Sequence, residues 1–452
     1  MSETTPAPAR NRAARSAQIT IAALGVAALV IAGGYAWVTW PRTPDPGPAA
    51  AVPGEYVPWN TDRSLSLGQD AMWTDMNEAM RTKNRELFLS WAEGDAVDQL
   101  GNWWDSTTTI GWDVAAISPR TFASEDDGTV PVMLGAQFAF AAHPERGDGN
   151  PDADLNLIQG FEYTVTLSPS VESEDPNDPY ATDRKIVSIV PANEPNPWDE
   201  GALHVVKRDH VVLFGMADES ALVEANADTA EQSAVTALEA IRAMGAQVPQ
   251  DGFVSAITGD EGRFTRWEYG TGTPWEMDVA GYARPALRPD SPEEWLDPTI
   301  ATGGDTSGTL IVMGPKSDDQ REQTFVHEFA HALHFTAAPG TFIDPPAAVM
   351  EGFARYVEWS TGLSERGYLD PRIKDVVARN GADAFADEAL RSAESYLAYD
   401  SAGSYYAFVA ANGGSPWDLA VSGRTGFGGL VGFAEMSDQY SIARWQEWVA
   451  AQ

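Results

Sequence analysis

The window His327-Glu328-Phe329-Ala330-His331-Ala332-Leu333-His334 holds three of the six histidines in this 452-residue chain. It constrains the fold because its polar groups form a set only on a helix. There, residues four apart stand on one face, roughly 5–6 Å apart at Cβ. His327 and His331 can then direct a ring nitrogen at one divalent ion about 2.0–2.1 Å away. Glu328 is offset by one position, so it is not a ligand in that arrangement and is placed to act as general base toward water. A third protein ligand must come from another element.

The flanking residues favour that helix. The apolar, β-rich run 308–313 ends at Gly314-Pro315 and reads as a strand. Ser317, with acids after it and Gln320 three positions on, reads as a helix cap. The spacing predicts a helix from there to about Phe335, with Phe325, Val326, Phe329, Ala330 and Leu333 as its core stripe. Pro345-Pro346 opens a second helix, Val349, Phe353, Tyr356 and Val357 supply its apolar positions, and Gly362 terminates it. Glu351 on this helix is the natural third ligand, completing a His-His-Glu set with one position left open, an arrangement known for catalytic zinc. Tyr356, Glu358 and His334 are candidates to hold the ligands in place, since a ligating imidazole normally donates its other N–H. His334 alone fits better as a satisfied helix histidine than as a ligand.

Together, His327-Glu328-Phe329-Ala330-His331 and Glu351-Gly352-Phe353-Ala354 resemble the gluzincin metallopeptidases, and most of all the bacterial peptidase MA-like proteins. The tyrosine-rich stretch 399–413 is similar to the C-terminal helix of that family. The likeness covers about the last 250 residues and is strongest over 308–414. It implies a mixed α/β catalytic domain with a helical C-terminal part, a Zn2+ cofactor and a peptide or protein substrate. A metzincin would need glycine at 334 and histidine at 337, where this chain has His334 and Ala337. The G-x-M-E-N motif of the aminopeptidases is also missing, which weighs against amino-terminal trimming.

The chemistry expected of such a site is metal-assisted hydrolysis, with zinc activating a water and Glu328 moving its proton. A developing oxyanion needs a second donor, and no histidine follows His334. The tyrosines Tyr396, Tyr399, Tyr405 and Tyr406 cluster beyond the ligand helix, and Tyr399 and Tyr405 are the candidates. The resemblance further implies that a strand near 279–283 pairs with an extended substrate. The competing reading is a non-catalytic surface binding protein whose zinc is only structural.

Charge and the amino terminus bound the setting. A net charge of −37, from 66 acids against 29 bases, argues against nucleic acid as a partner. With no cysteine there are no disulfides, thiolate sites or lipoprotein anchor. Residues 17–40 are uncharged and long enough to span a bilayer, with Arg10, Arg12 and Arg15 before them and Tyr35, Trp37 and Trp40 where an aromatic belt would lie. The expectation is one uncleaved helix in the cell membrane, with residues 1–16 cytoplasmic and everything beyond 40 extracytoplasmic.

The rest of the chain reads as α+β. Residues 41–56 form a proline-rich linker. Residues 57–198 read as an accessory module with a long helix (Met72, Met76, Met80, Leu87, Trp91), a short helix over 97–104, and strands over 132–141, 161–167 and 186–190, suggesting a cystatin-like cone. The boundary is drawn at the Pro/Asn-rich stretch 191–198, and 199–452 is the metallopeptidase domain. Its expected elements before the zinc region are strands over 204–207, 211–216 and 253–258, and a helix over 223–244 closed by Gly245. The oxygen-rich run 148–154 has calcium-loop spacing, but Ala153 and Gln159 stand where glycine and glutamate are needed, which favours a solvated loop.

Overall fold

In a computed structural model of the chain, the described residues are 70–120, 128–138, 158–169, 184–270 (apart from 247 and 249), 279–287, 306–337, 346–390, 395–425 and 429–452. The expected span 17–40, the linker 41–56 and the oxygen-rich run 148–154 lie outside them. Among the described residues no helix is long and apolar enough to cross a membrane.

The chain is a mixed α+β protein. Three helices come first: α1 (Asp70–Thr82), α2 (Arg85–Leu89) and α3 (Asp95–Ile110). Strands β1 (Trp112–Pro119), β2 (Thr129–Phe138), β3 (Ile158–Leu167), β4 (Ile186–Pro191), β5 (Leu203–Lys207) and β6 (Val211–Met216) follow. Then come α4 (Ser220–Ala243), β7 (Phe253–Ile257), α5 (Glu261–Tyr269), β8 (Gly281–Leu287) and β9 (Thr306–Met313). The remainder is helical: α6 (Arg321–Thr336), α7 (Ala347–Thr361), α8 (Pro371–Asn380), α9 (Asp387–Leu390), α10 (Ser395–Ala411), α11 (Pro416–Thr425), α12 (Gly429–Glu435) and α13 (Ile442–Ala451).

Among the described residues nine strands form one sheet, ordered β1-β2-β3-β8-β9-β7-β6-β5 with β4 also on β3. The three strands β6, β7 and β9 are mutually parallel. They read as continuous apolar runs because both their faces are buried. The period of two sends alternate residues to different cores. Val211, Leu213, Phe253, Ile257, Ile311 and Met313 join one core with α4, α6 and α7. Val212, Phe214, Val254, Ala256, Leu310 and Val312 join the other, with Met76, Leu100, Trp103 and Trp198.

That second core corrects two expectations. The stretch 57–198 is not set apart at 198: it lies within one compact unit, Val57–Gln452, and supplies the helices that cover the far face of the central strands. The long amino-terminal helix is also broken. Lys83 takes a positive φ of 55° between α1 and α2, and α2 ends at Leu89, so Met72 and Leu87 lie on different helices and Trp91 falls beyond both. β1 was not foreseen, because its apolar residues are interrupted by Asp113, Ser118 and Pro119.

Candidate metal centre

Helix α6 starts later than its cap signal suggests. Residues Pro315–Gln320 form a 3-10 turn, and the Ser317 hydroxyl donates to Gly314 O at 2.7 Å instead of capping the next turn. The α-helix begins at Arg321 and is held to β7 by Phe329, which stacks on Phe253 with ring centroids 4.1 Å apart. Packing of that face leaves His327 and His331 on the side turned toward α7. α7 begins after Pro346 and ends at Gly362, which adopts the left-handed conformation with φ 78°. Gly352 permits the next contact: a Cβ there would come within 2.8 Å of the Ala402 Cβ, so only glycine lets α10 lie this close to α7.

These elements bring His327, His331 and Glu351 together. One ligand atom from each lies within 4.8 Å of the others. His327 Nε2 is 3.1 Å from Glu351 Oε2 and 3.1 Å from His331 Nε2, and His331 Nε2 is 3.4 Å from Glu351 Oε2. A tetrahedral ion with bonds near 2.0–2.2 Å separates its ligand atoms by about 3.3–3.5 Å. The triangle is therefore close to what such an ion requires. The side chains are 15%, 7% and 19% exposed in that order, so the group is partly open to water.

The donors behind the triangle orient it. His327 Nδ1 donates to Glu358 Oε1 at 2.6 Å, which leaves the Nε2 lone pair directed at Glu351 and His331. Glu358 Oε2 accepts from Gln323 Nε2 at 2.6 Å, Arg355 Nη1 at 2.7 Å and Ser364 Oγ at 3.1 Å. Arg355 Nε donates to Asp400 Oδ1 at 2.7 Å, so a buried chain of alternating charge runs from α6 through α7 to α10.

The electrostatics demand positive charge at the triangle. Burial penalises the Glu351 carboxylate, but the His331 and His327 imidazoles outweigh it and hold its pKa well below the usual range. Burial likewise opposes charge on His327, yet hydrogen bonds to the Glu351 and Glu358 carboxylates drive its pKa well up. Glu358 is held below its ordinary value because its His327 hydrogen bond and Arg355 overcome burial. The raised His327 pKa shows that these atoms attract positive charge, which a metal ion held by two imidazoles and a carboxylate would supply in place of a proton, so the residues fit a metal ion.

Glu328 stands beside the triangle and is not part of it. It is 4% exposed, and its Oε2 has no hydrogen-bond partner among the described residues. Burial raises its pKa against the pull of the two imidazoles. Tyr399 faces the same charges: burial, then Glu351 and Glu328, push its phenol far up, so it remains an O–H donor. Tyr405 does not reach the group. Its hydroxyl donates to Tyr440 O at 2.7 Å, and its ring packs against Phe385, Phe408 and Trp445. Tyr406 is tied to Val349 O at 2.8 Å, and Tyr396 accepts from Arg372.

Of the expected supporting residues, Glu358 is in place. His334 is fully buried with Nε2 2.9 Å from Ala420 O, as expected for a satisfied helix histidine. Tyr356 stacks against Tyr406. Sequence reasoning missed Gln323, Arg355, Ser364 and Asp400. The spacing of Arg355 four residues after Glu351 was the available signal, since it returns the guanidinium to the same helix face. No family model matches the chain, and no curated protein matches it.

Proposed function

We propose that this chain is a zinc-dependent peptidase of the gluzincin kind, most similar to the peptidase MA-like proteins, with its catalytic part in 199–452. The observation that carries the reading is the convergence of His327, His331 and Glu351 beside a buried, unpartnered oxygen of Glu328. Three protein ligands leave a tetrahedral ion one free position, whereas structural zinc sites are normally closed by four. A zinc ion held by these residues would lower the pKa of a water and polarise a scissile carbonyl.

The chain's own groups do the rest. Glu328 accepts the proton of the attacking water and returns it to the leaving nitrogen, its buried Oε2 having no other partner among the described residues. Tyr399 donates its O–H to the carbonyl oxygen as that oxygen gains charge. Glu358 keeps the His327 proton on Nδ1. β8 pairs with β9 along 281–287, while among the described residues its other edge meets β3 only at Leu287, opposite Gly160. That edge offers main-chain partners to an extended peptide, and α6 packs over the face of β8, where a Cβ on Gly281 would meet Thr324 at 3.1 Å. The uncharged stretch 17–40 behind three arginines supports an enzyme anchored in the cell membrane with this site outside.

The test is Glu328→Gln in the full chain against an unbiased peptide library. Cleavage should fall about 10²–10⁴-fold with zinc content unchanged. A wild type that cuts nothing the variant and a chelated sample fail to cut would leave only a non-catalytic binding protein with a structural metal.

A further inference from the structure

Of the described groups that bond to Glu358, only Arg355 carries a permanent positive charge; the others are His327, Gln323 and Ser364. Left to itself, that charge works against the metal centre in two ways. It draws electron density from the carboxylate that must accept from His327 Nδ1–H, and it adds a positive charge near the place where a cation would sit. Screening is weak here, because the side chains of Glu358 and Arg355 are only 3% and 23% exposed.

Asp400 answers both effects. Arg355 Nε donates to Asp400 Oδ1 at 2.7 Å while Nη1 donates to Glu358 Oε2 at 2.7 Å, so two acids divide one guanidinium. Burial opposes charge on Arg355, but Glu358 and Asp400 together outweigh it and raise its pKa. Packing gives this arrangement little freedom. Gly367 lies against the Asp400 carboxylate with no room for a Cβ. A Cβ on Gly403 would meet Trp359 at 2.9 Å and the Arg355 Cβ at 3.2 Å, so α10 presses on the stem of the same arginine.

We propose that Asp400 is a positioning residue for the metal: by sharing the Arg355 guanidinium it leaves Glu358 a full-strength acceptor for His327, and so keeps His327 a strong ligand. A better acceptor at Nδ1 raises the basicity of the nitrogen that faces the ion. The influence of Asp400 reaches the triangle through Arg355, Glu358 and His327 in turn. It rests on the zinc site of the peptidase reading, but not on the hydrolysis of any peptide.

The measurement is zinc affinity of the full chain, by competition with a chromophoric chelator at about pH 7.5, well above the ordinary carboxylate range. Asp400→Asn keeps the shape and one oxygen for Arg355 Nε but removes the charge. Affinity should fall about three- to tenfold, less than on loss of a direct supporting partner because Asp400 acts one bond further out. Thermal melts of the metal-free proteins check the fold, and Asp400→Ser is read in the same way if the asparagine variant does not fold. The deciding comparison adds Asp400→Asn to Glu358→Gln. A route through Glu358 predicts less than about twofold further loss in the double variant, whereas a merely structural role predicts losses that multiply. Multiplying losses, or equal zinc affinity of Asp400→Asn and wild type, would overturn the inference. A wild type that binds no zinc would overturn the metal site itself, and the inference with it.

Discussion

Glu358→Gln tests the geometry of the proposed zinc site without changing side-chain shape. In the wild type, Oε1 accepts from His327 Nδ1, while Oε2 accepts from Gln323, Arg355 and Ser364. An amide has one oxygen and one NH2, so it satisfies only one of these sides. If the oxygen stays with the three donors, the NH2 faces Nδ1, which must then accept, and the His327 proton moves to Nε2, where it blocks the metal. If the oxygen turns to His327, the NH2 is pressed against the Arg355 guanidinium. Either arrangement weakens the ligand set, and loss of such a supporting partner typically costs 10–100-fold in metal affinity, about 1.4–2.7 kcal/mol. The assay is competition for zinc against a chromophoric chelator, run beside a thermal melt of the metal-free protein. A folded variant binding zinc within about twofold of wild type would refute the argument that Glu358 sets the His327 tautomer.

Three further outcomes follow from particular contacts. Tyr399→Phe should lower kcat about 10²–10³-fold with zinc content and Tm unchanged. Its hydroxyl makes no hydrogen bond among the described residues, so a large drop in Tm would show that it has a structural role instead. Gly367→Ala should destabilise the fold by about 1–3 kcal/mol in a denaturant titration, because the new Cβ would overlap the Asp400 carboxylate that anchors Arg355. Asp199 has its pKa raised by burial from 3.8 to about 6. An acid held protonated in the fold contributes stability that is full below its unfolded value and is lost as pH rises through the folded one. Stability should therefore fall between about pH 4 and pH 6 by at most about 3 kcal/mol from this group, and Asp199→Asn should flatten that slope in chemical melts at stepped pH.

Much of the candidate site is legible in the sequence because helical spacing is local. Two histidines four apart, a glutamate beside the first and a capped second helix need no knowledge of the rest of the chain. The strands expected over 211–216, 253–258 and 308–313 were equally readable, since burial on both faces leaves largely apolar runs, although the last begins two residues earlier, at Thr306. The 3-10 turn before Arg321 was not, because Ser317 serves Gly314 just as well as it would serve a helix end. The choice between Tyr399 and Tyr405 was also closed to sequence: they are six residues apart on one helix and differ only in what α10 is packed against.

Taken alone, the chain of residues determined which groups could share a helix face, the net charge of −37, and the positions of the central strands. The tertiary structure decided the rest. It joined the amino-terminal helices to the far face of the central strands, brought Glu351 across from α7, and buried Arg355 between Glu358 and Asp400. The physical reason is distance along the chain. Local periodicity determines the side a residue presents, whereas its partner there depends on long-range packing, in which close approaches such as Gly352 against Ala402 set the spacing between elements.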